Sequence, residues 1–340
     1  MPGLGKVSYM TSLSEQVAEN VLRICVPIPF PLRTVNIYAL IGRNSWALFD
    51  TAIGTEEARA AIQAGLQSAG LKLENLCAIV LSHGHPDHIG LSGEFQELSG
   101  ARVYMHPIDE AWLQRMRSSE RARSFAQVNR FFGPHGMPSE PIQPPQVAPE
   151  IMRRIVQVPP HEAFTLVEDG AEIELVGELY RVFWVPGHSD GQIVLFRERD
   201  GVFLAADHVL PRITPNVGLY SEEGRLNPLG DYLASLRKVE HLPATIVLPG
   251  HGEPLNDLAG RVHELIEHHA EREKKILNLL FAGPQHAYQL TKQLFGQRLT
   301  SQDAWRMAVA ETLSHLEYMR IGGHVTQQHT SDGLILYSAV

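Results

Sequence analysis

Residues 81–88 read LSHGHPDH, and the apolar run AIVL at 78–81 that leads into them is typical of a buried strand. Within six residues the stretch places four side chains that commonly bind metals, namely His83, His85, Asp87 and His88. Residues two apart in an extended chain point to the same side, so the first two histidines can converge on one ion. The aspartate and the third histidine begin the next turn and can face a second ion. A purely structural role would bury imidazole and carboxylate groups without partners, which is costly, so the stretch predicts a metal site.

Further ligands are expected at the ends of three other strands. His188, Asp207 and His251 each stand within three residues of the end of an apolar run. The edge where strands leave a sheet is where α/β domains gather their chemistry, and the glycines before the two histidines allow sharp turns. Counting ligands then predicts two sites, one held by His83, His85 and His188 and the other by Asp87, His88 and His251, with Asp207 bridging them.

The donor set indicates the metal and the chemistry. Nitrogen and oxygen donors suit two zinc ions, with iron or manganese as alternatives. Five neutral imidazoles and two carboxylates supply a charge of about −2 against about +4 from two divalent ions, and the metal charge dominates such a site. A hydroxide that bridges the ions leaves the centre near about +1, which favours a nucleophile at neutral pH and stabilises an oxyanion. This is hydrolytic chemistry on a carbonyl or phosphoryl group, in which Asp87 both binds metal and steers the proton of the nucleophile.

Other polar residues near these strand ends are predicted to support the metals or the substrate. Asp50 follows the strand-like run at 46–49 and is predicted to orient a ligand imidazole, with a simple turn residue as the alternative. His208 is interpreted either as a supporting residue of this kind or as a substrate contact. Four more residues are hypothesised substrate contacts, the last of them also a general acid, with loop packing as the alternative. They are Tyr38, Arg212, Asn216 and Tyr220.

Composition narrows the class of protein. The chain has 340 residues and a net charge of −9, which argues against a general nucleic-acid binder because such proteins rely on a basic surface. Cys25 and Cys77 lie far apart on apolar segments and are predicted to be core residues rather than a disulfide. Residues 1–20 lack the apolar core of a signal peptide, and no window is apolar enough to span a bilayer. We therefore expect a cytoplasmic protein without membrane contact.

Strand-like and helix-like segments alternate over residues 1–254, which predicts an α/β layered catalytic domain. Residues 108–160 interrupt this rhythm with a helical, basic first part and a proline-dense second part. This insertion is interpreted as a cap over the site, with a surface excursion as the alternative. The pattern changes again over residues 255–340, where helical segments and a hairpin around Ser331-Asp332-Gly333 predict a small winged-helix-like domain.

A winged-helix-like pattern raises the question of nucleic-acid binding. Beyond Pro254 the chain carries eight arginines and lysines against nine aspartates and glutamates. A recognition helix should be rich in basic residues that meet phosphates, and the helical segment at 303–319 is not. We therefore expect this domain to pack against the catalytic domain or against a second subunit, which would make a homodimer.

The ligand pattern resembles the metallo-β-lactamase-fold hydrolase superfamily. It consists of His83-x-His85-x-Asp87-His88 followed by His188, Asp207 and His251. The resemblance covers about residues 20–254 and implies an αββα sandwich with a two-metal site at one edge. The turn Asp50-Thr51-Ala52 is similar to the family's Asp-Thr-Gly turn, with alanine in place of the glycine.

A branch within that superfamily is indicated as well. The C-terminal helices and hairpin, and the segment 207–216, resemble the lactamase-β-2-like branch, which includes endoribonucleases and polyketide-releasing thioesterases. The commonest class of zinc β-lactamases carries a cysteine where this chain has Asp207, so that activity is not expected.

One fold hosts many reactions, so several functions stay open. The leading hypothesis is a dinuclear metal-dependent hydrolase that acts on a small-molecule ester, thioester or lactone. The same ligands would serve a phosphodiesterase or endoribonuclease, against which the net acidity counts. A mononuclear iron oxygenase would need only part of the ligand set. A non-enzymatic winged-helix regulator would keep intact buried ligands without using them, which is costly.

Overall fold

A computed structural model describes residues 14–117, 130–138, 151, 154–221 and 225–340. Its first sheet has seven strands, which lie side by side in sequence order. They are β1 Glu15–Ala18, β2 Val21–Pro27, β3 Thr34–Ile41, β4 Trp46–Phe49, β5 Leu76–Val80, β6 Arg102–Met105 and β7 Phe164–Leu166. Neighbours pair antiparallel from β1 to β4 and parallel from β4 to β7.

The second sheet has five strands in the order β12-β11-β10-β9-β8. Its strands are β8 Glu172–Leu175, β9 Glu178–Trp184, β10 Ile193–Arg197, β11 Val202–Ala206 and β12 Ile246–Pro249. Only the pair β11 and β12 is parallel. A helical crossover joins those two strands, so both of them end at the same edge of the sheet.

Eight helices are described in the ranges given above. They are α1 Glu56–Ser68, α2 Pro86–Ile89, α3 Ser92–Ser99, α4 Pro107–Arg117, α5 Pro228–Val239, α6 Leu258–Leu280, α7 Ala287–Phe295 and α8 Gln302–Ile321. Thr55 caps α1, because its side chain accepts a hydrogen bond from the Ala58 amide. A final hairpin pairs β13 Val325–His329 with β14 Ile335–Ala339.

The two sheets pack face to face and helices cover both outer faces. Tyr38 and Phe49 of the first sheet share one buried cluster with Tyr180 and Leu204 of the second. A second cluster joins the outer face of the first sheet to α1 and α3, and a third joins the outer face of the second sheet to α5 and α6. The αββα sandwich is therefore confirmed.

The C-terminal helices and hairpin have a core of their own. It joins Ile276 of α6, Leu290 of α7, Leu313 of α8 and Tyr337 of β14, and Phe132 from the segment 130–138 packs into it. The helices and hairpin that the sequence predicted beyond residue 254 are present. The long helix α6 also contributes to the third cluster of the sandwich, so this C-terminal unit packs against the catalytic one.

Much of the predicted cap falls on residues 118–129, 139–150 and 152–153, which lie outside the described residues. Its described part begins with α4 and includes residues 130–138. There the Pro134 carbonyl accepts a hydrogen bond from the Ile335 amide at 2.8 Å, and the His135 carbonyl accepts one from Tyr288 at 3.1 Å. This part of the insertion therefore docks on the C-terminal unit, and its role as a cap stays a prediction.

The prediction that both cysteines lie in the core is wrong, since Cys25 and Cys77 are exposed. Strand β2 alternates, and because Ile24 and Val26 face the helix-covered side, Cys25 faces the other way. Cys77 lies at a register shift, where Trp46 pairs with Leu76 but Ala47 pairs with Ala78. An apolar run alone does not reveal either position.

None of the described helices combines the length and the apolar character that crossing a bilayer requires.

Candidate metal centre

The predicted ligands stand where four strands end at one edge of the sandwich. The stretch 81–88 follows β5, and Pro86 opens the short helix α2, so the chain turns sharply after His85. His188 lies in the turn between β9 and β10, Asp207 follows β11, and His251 follows β12. Topology therefore brings seven residues from distant parts of the sequence to one place.

Ligand atoms from these residues fall into three overlapping groups. In each group the atoms all lie within 4.8 Å of one another. The groups are His83, His85 and His188, then His83, His88 and Asp207, and finally Asp87, His88 and His251. The first and the last are the two ligand sets that the sequence predicted, and we call them the first and second ligand groups.

Asp207 lies between the two ligand groups. Its Oδ1 is 3.5 Å from His88 Nε2, and its Oδ2 is 3.5 Å from His188 Nε2 and 3.4 Å from His251 Nε2. One carboxylate thus faces imidazoles of both groups, which is the geometry that a bridging ligand needs.

Asp50 and Ser82 anchor two of the imidazoles from behind. Asp50 Oδ2 accepts hydrogen bonds from His88 Nδ1 at 2.8 Å and from the Ser82 hydroxyl at 2.7 Å, and Oδ1 accepts one from the Ser82 amide at 2.8 Å. The Ser82 oxygen lies 2.9 Å from His83 Nδ1 and can accept its proton. With protons on both Nδ1 atoms, the Nε2 atoms keep the lone pairs that bind metal. Asp50 thus contacts the imidazole of His88, and its role in orienting a ligand stays a prediction.

Backbone carbonyls anchor the other two buried imidazoles in the same way. His188 Nδ1 lies 2.8 Å from the Asn216 carbonyl, and His251 Nδ1 lies 2.6 Å from the Thr34 carbonyl. A carbonyl can only accept, so each Nδ1 carries a proton, and each Nε2 is the inward-facing nitrogen that can offer a lone pair to a metal. Asn36 holds the turn before His251, since its side chain donates to the carbonyls of residues 249 and 252.

Four of the inward-facing atoms fit a metal because they lack a hydrogen-bond partner in the described part of the chain. Within the described residues, the buried atoms His88 Nε2, His188 Nε2, His251 Nε2 and Asp207 Oδ1 have no hydrogen-bond partner. Buried polar atoms are nearly always partnered, so four such atoms converging on one space call for a ligand. Three of them are nitrogen lone pairs and one is a carboxylate oxygen, and a divalent cation satisfies such a set.

Electrostatics divide the imidazoles into two kinds. Burial lowers the pKa of His83, His85 and His188, so these rings are neutral and ready to donate lone pairs to a cation. Burial acts in the same direction on the other two histidines, but the neighbouring acceptors, with Asp207 the strongest of them, together outweigh it and raise the pKa of both. They are His88 and His251.

The carboxylate between these imidazoles is ionised. Burial alone would raise the pKa of Asp207, yet the neighbouring His88 and His251 hold it well below its usual range. An ionised carboxylate at the meeting point of the ligand imidazoles is the electrostatic environment that attracts a cation.

Asp109 on α4 is a buried residue of the site that the sequence analysis missed. Its Oδ2 accepts hydrogen bonds from the Gly84 amide at 2.8 Å and from the Ser189 hydroxyl at 2.7 Å, and its Oδ1 accepts one from the Gly191 amide at 2.8 Å. It therefore ties the turn that carries His83 and His85 to the turn that carries His188. Its sequence shows only an acidic residue in the first turn of a helix, a common position that signals no contact with the site.

His208 is fully buried beside Tyr232. Its ring packs edge-on against Tyr232, with ring centroids 5.5 Å apart, and burial lowers its pKa to about 3. Within the described residues neither of its ring nitrogens has a hydrogen-bond partner. The structure therefore places this neutral ring in the core beneath the site.

The hypothesised substrate contacts occupy different surroundings. Tyr38 is fully buried, and its hydroxyl donates to the Pro249 carbonyl at 2.7 Å behind the His251 turn. Tyr220 packs against the C-terminal core, and its hydroxyl donates to Asn216 Oδ1 at 2.7 Å, so the proton that a general acid would deliver is already engaged. Arg212 is exposed in the same loop as Asn216. Among the four, Arg212 has the most accessible side chain.

Family models match most of the chain. Residues 31–251 match the model described as the Metallo-beta-lactamase superfamily. Residues 274–340 match the model described as the Metallo-beta-lactamase-like, C-terminal domain.

Individual proteins match as well. The chain is 38% identical to a metallo-beta-lactamase family protein from Thermus thermophilus of known structure, with a TM-score of 0.81 over 96% of this chain and 100% of that one. It is 28% identical over 313 residues to the probable metallo-hydrolase YqjP of Bacillus subtilis (strain 168), covering 91% of this chain and 94% of that protein. A shorter match, 30% identical over 112 residues, covers 33% of this chain and 32% of an Aspergillus fumigatus protein named atrochrysone carboxyl ACP thioesterase.

Proposed function

The chain belongs to the metallo-beta-lactamase superfamily and is a metal-dependent hydrolase, and from this premise we propose that it is a dinuclear enzyme that hydrolyses an ester, thioester or lactone. The observation that carries the proposal is the convergence of two ligand groups around Asp207, where His88 Nε2, His188 Nε2, His251 Nε2 and Asp207 Oδ1 have no hydrogen-bond partner in the described residues. We propose zinc as the metal, because neutral imidazoles with few carboxylates suit it, and iron or manganese are the alternatives.

The chain's own residues prepare the site for hydrolysis. Asp207 faces imidazoles of both ligand groups, so it can hold two cations close together. Asp87 Oδ2 lies 3.5 Å from His251 Nε2, and its side chain keeps 15% exposure, so it can bind metal while it reaches a proton at the mouth of the site. Bound divalent ions would supply a nucleophile at neutral pH and stabilise the oxyanion that develops on a carbonyl.

Exposed apolar side chains beside the ligands favour an acyl substrate. Trp112 on α4 is 38% exposed, and its ring lies against Gly84, where an added Cβ would come within 3.0 Å of it. Phe30 and Leu32 are 40% and 44% exposed and precede Thr34, whose carbonyl anchors His251. Such surfaces suit an apolar acyl group better than a phosphate backbone, and the thioesterase relative supports the same class.

The test is metal dependence measured together with substrate class. Metal-free protein, prepared with a chelator, should be inactive on a panel of thioesters, esters and lactones, and two zinc ions per chain should restore hydrolysis. His85→Ala removes a ligand of the first group and should lower turnover by more than about 100-fold, beyond the usual cost of losing an outer partner. His241→Ala changes an exposed histidine after α5 and serves as the matched control, with turnover unchanged.

Two results would contradict the proposal. Full activity of the metal-free protein would exclude the metal mechanism. Cleavage of a labelled oligonucleotide at catalytic enzyme concentrations, without hydrolysis of any acyl substrate, would replace the proposed substrate class with phosphodiesters.

A further inference from the structure

We propose that the C-terminal helices position the metal ligand His188, and that they act through the loop 210–220 with Tyr220 as a positioning residue. The inference rests on the proposed function, since it concerns the first ligand group of the metal centre. It gives the C-terminal unit a role in the chemistry of a site to which it contributes no ligand.

A hydrogen bond joins His188 to the loop. His188 Nδ1 lies 2.8 Å from the Asn216 carbonyl, a contact that fixes the ring orientation and directs Nε2 towards the ligand group. The contact is made by a main-chain atom. The position of that carbonyl therefore depends on whatever holds the backbone of the loop.

The loop is in turn attached to α8. The Leu219 amide donates to the Ala310 carbonyl at 3.0 Å, and the side chain of Asn216 donates to the Met307 carbonyl at 3.4 Å. The approach is close, since a Cβ added at Gly218 would lie 2.9 Å from the Ala310 side chain. The loop therefore lies directly on a helix of the C-terminal unit, two residues beyond the carbonyl that His188 uses.

Tyr220 in turn anchors Asn216. The Tyr220 hydroxyl donates to Asn216 Oδ1 at 2.7 Å, while its ring packs edge-on against Phe132 with ring centroids 6.3 Å apart. Tyr220 is thus part of the C-terminal core and touches the residue whose carbonyl orients His188. Removal of its hydroxyl deprives Asn216 Oδ1 of this donor without emptying the core, and leaves the Asn216 side chain with its longer bond to the Met307 carbonyl.

Helix α6 holds the start of the same loop. Arg261 donates from Nε to the Leu210 carbonyl at 2.7 Å and from an Nη atom to the Ile213 carbonyl at 2.9 Å. Two helices of the C-terminal unit therefore form hydrogen bonds with the loop, α6 before Asn216 and α8 after it. A metal ligand must be held to about 0.5 Å, so a support of this kind affects metal affinity directly.

The experiment titrates zinc into metal-free full-length protein against a chromophoric chelator and compares Tyr220→Phe with Tyr337→Phe. Both substitutions remove one tyrosine hydroxyl from the C-terminal core, but the Tyr337 hydroxyl contacts His135, which lies outside the loop. We expect Tyr220→Phe to lower the affinity for one of the two zinc ions by roughly 3- to 10-fold. This is less than the roughly 10- to 100-fold loss that is typical when a residue in direct hydrogen-bond contact with a metal ligand is removed. Tyr337→Phe should bind both ions as the unsubstituted protein does.

A second variant keeps the test decisive if either tyrosine substitution impairs folding. Arg261→Met removes the hydrogen bonds from α6 to the loop and should lower the affinity for the same zinc ion. Equal zinc affinities in all the proteins, or equal weakening in Tyr220→Phe and Tyr337→Phe, would overturn the proposed route. Fewer than two ions in the unsubstituted protein would instead overturn the dinuclear proposal, while selective weakening by Tyr220→Phe would still support the route through the loop.

Discussion

The imidazoles of the metal centre differ in what holds them. Three of them are held by the first sheet and the turns that leave it, and we call these the sheet-held ligands. They are His83, His88 and His251, and their partners are Ser82, Asp50 and the Thr34 carbonyl. His188 is held from outside that sheet, by the Asn216 carbonyl and through a turn tied to Asp109 of α4. We call it the loop-held ligand.

The two kinds of ligand depend on different parts of the fold. Partners of the sheet-held ligands sit at the ends of β3, β4 and β5, so they are in place once the sandwich core has formed. Partners of the loop-held ligand need α4 and a loop that lies on α8, about 90 residues further along the chain. Local stability varies within a protein, so the two kinds of ligand should respond differently to substitution and to pH.

The largest effect is expected from Asp50→Asn, which attacks the sheet-held side. Asn tolerates the left-handed backbone of residue 50, where φ is 61°, so the turn should survive. One amide cannot accept all three of the hydrogen bonds that the carboxylate accepts. Either its NH2 meets the Ser82 amide, or it donates to His88 Nδ1 and forces the proton onto Nε2, where it blocks metal binding.

Zinc binding should therefore weaken by roughly 10- to 100-fold in Asp50→Asn, measured by competition with a chelator. Asp200→Asn, a carboxylate change in the β10–β11 hairpin, is a suitable control because Asp200 contacts arginines and not the ligands. Unchanged zinc affinity in Asp50→Asn would show that the contact with His88 is not needed to hold the metal.

A smaller effect is expected from Asp109→Asn, which attacks the loop-held side. An amide oxygen in the place of Oδ2 keeps the bonds to Gly84 and Ser189, but its NH2 then meets the Gly191 amide. Loss of this hydrogen bond should lower the free energy of unfolding by about 1–3 kcal/mol. It should also lower the affinity for one zinc ion by roughly 3- to 10-fold. Metal content after dialysis against graded chelator measures the effect.

Asp190→Asn is the matched control for this prediction, because Asp190 is an exposed carboxylate in the same turn as Ser189. If Asp109→Asn loses stability but keeps both ions at unchanged affinity, then α4 supports the fold alone and the contrast between the two kinds of ligand disappears.

Residues that support the sheet-held ligands could be predicted from the sequence more completely than those that support the loop-held ligand. Asp50 could be predicted as a support because it directly follows β4, and strand ends meet at one edge of a sheet. Asp109 and Asn216 could not be assigned their contacts, since these depend on how α4 and α8 pack against turns far away in sequence. Tyr220 was interpreted as a substrate contact from its position alone, and only packing shows that its ring lies in the C-terminal core.

Strand prediction followed the same rule. The central strands β3 and β4 are buried along almost their whole length, so their apolar runs were visible in the sequence. The edge strands β1 and β7 have four and three residues and no such run, and the sequence analysis did not predict them. Neither of these two short strands carries a residue pattern that distinguishes it from a turn.

An effect confined to acid is expected in the helices that support the loop-held ligand, and none is expected there at neutral pH. His269 of α6 and His315 of α8 are buried and lie 3.1 Å apart, from Nδ1 to Nε2. Burial lowers the pKa of His269 to about 2 and that of His315 to about 4. Because the unfolded chain binds these protons near pH 6.5 and the folded chain does not, the stability they contribute is present above about pH 6.5 and is lost as the pH falls below it.

His269→Gln keeps a polar partner for His315 but removes one of the two titrations, so the comparison isolates a single group. Between about pH 6.5 and 4.5, metal-free unsubstituted protein should lose about 2 kcal/mol more unfolding free energy than the variant, measured by urea denaturation at constant ionic strength. The ligand histidines titrate in both proteins, so their contribution cancels in the difference. If the unfolding free energies of the two proteins fall in parallel as the pH falls, then the contact between α6 and α8 is insensitive to acid. Any selective loss of metal binding by His188 at low pH would then have to arise within the metal centre itself.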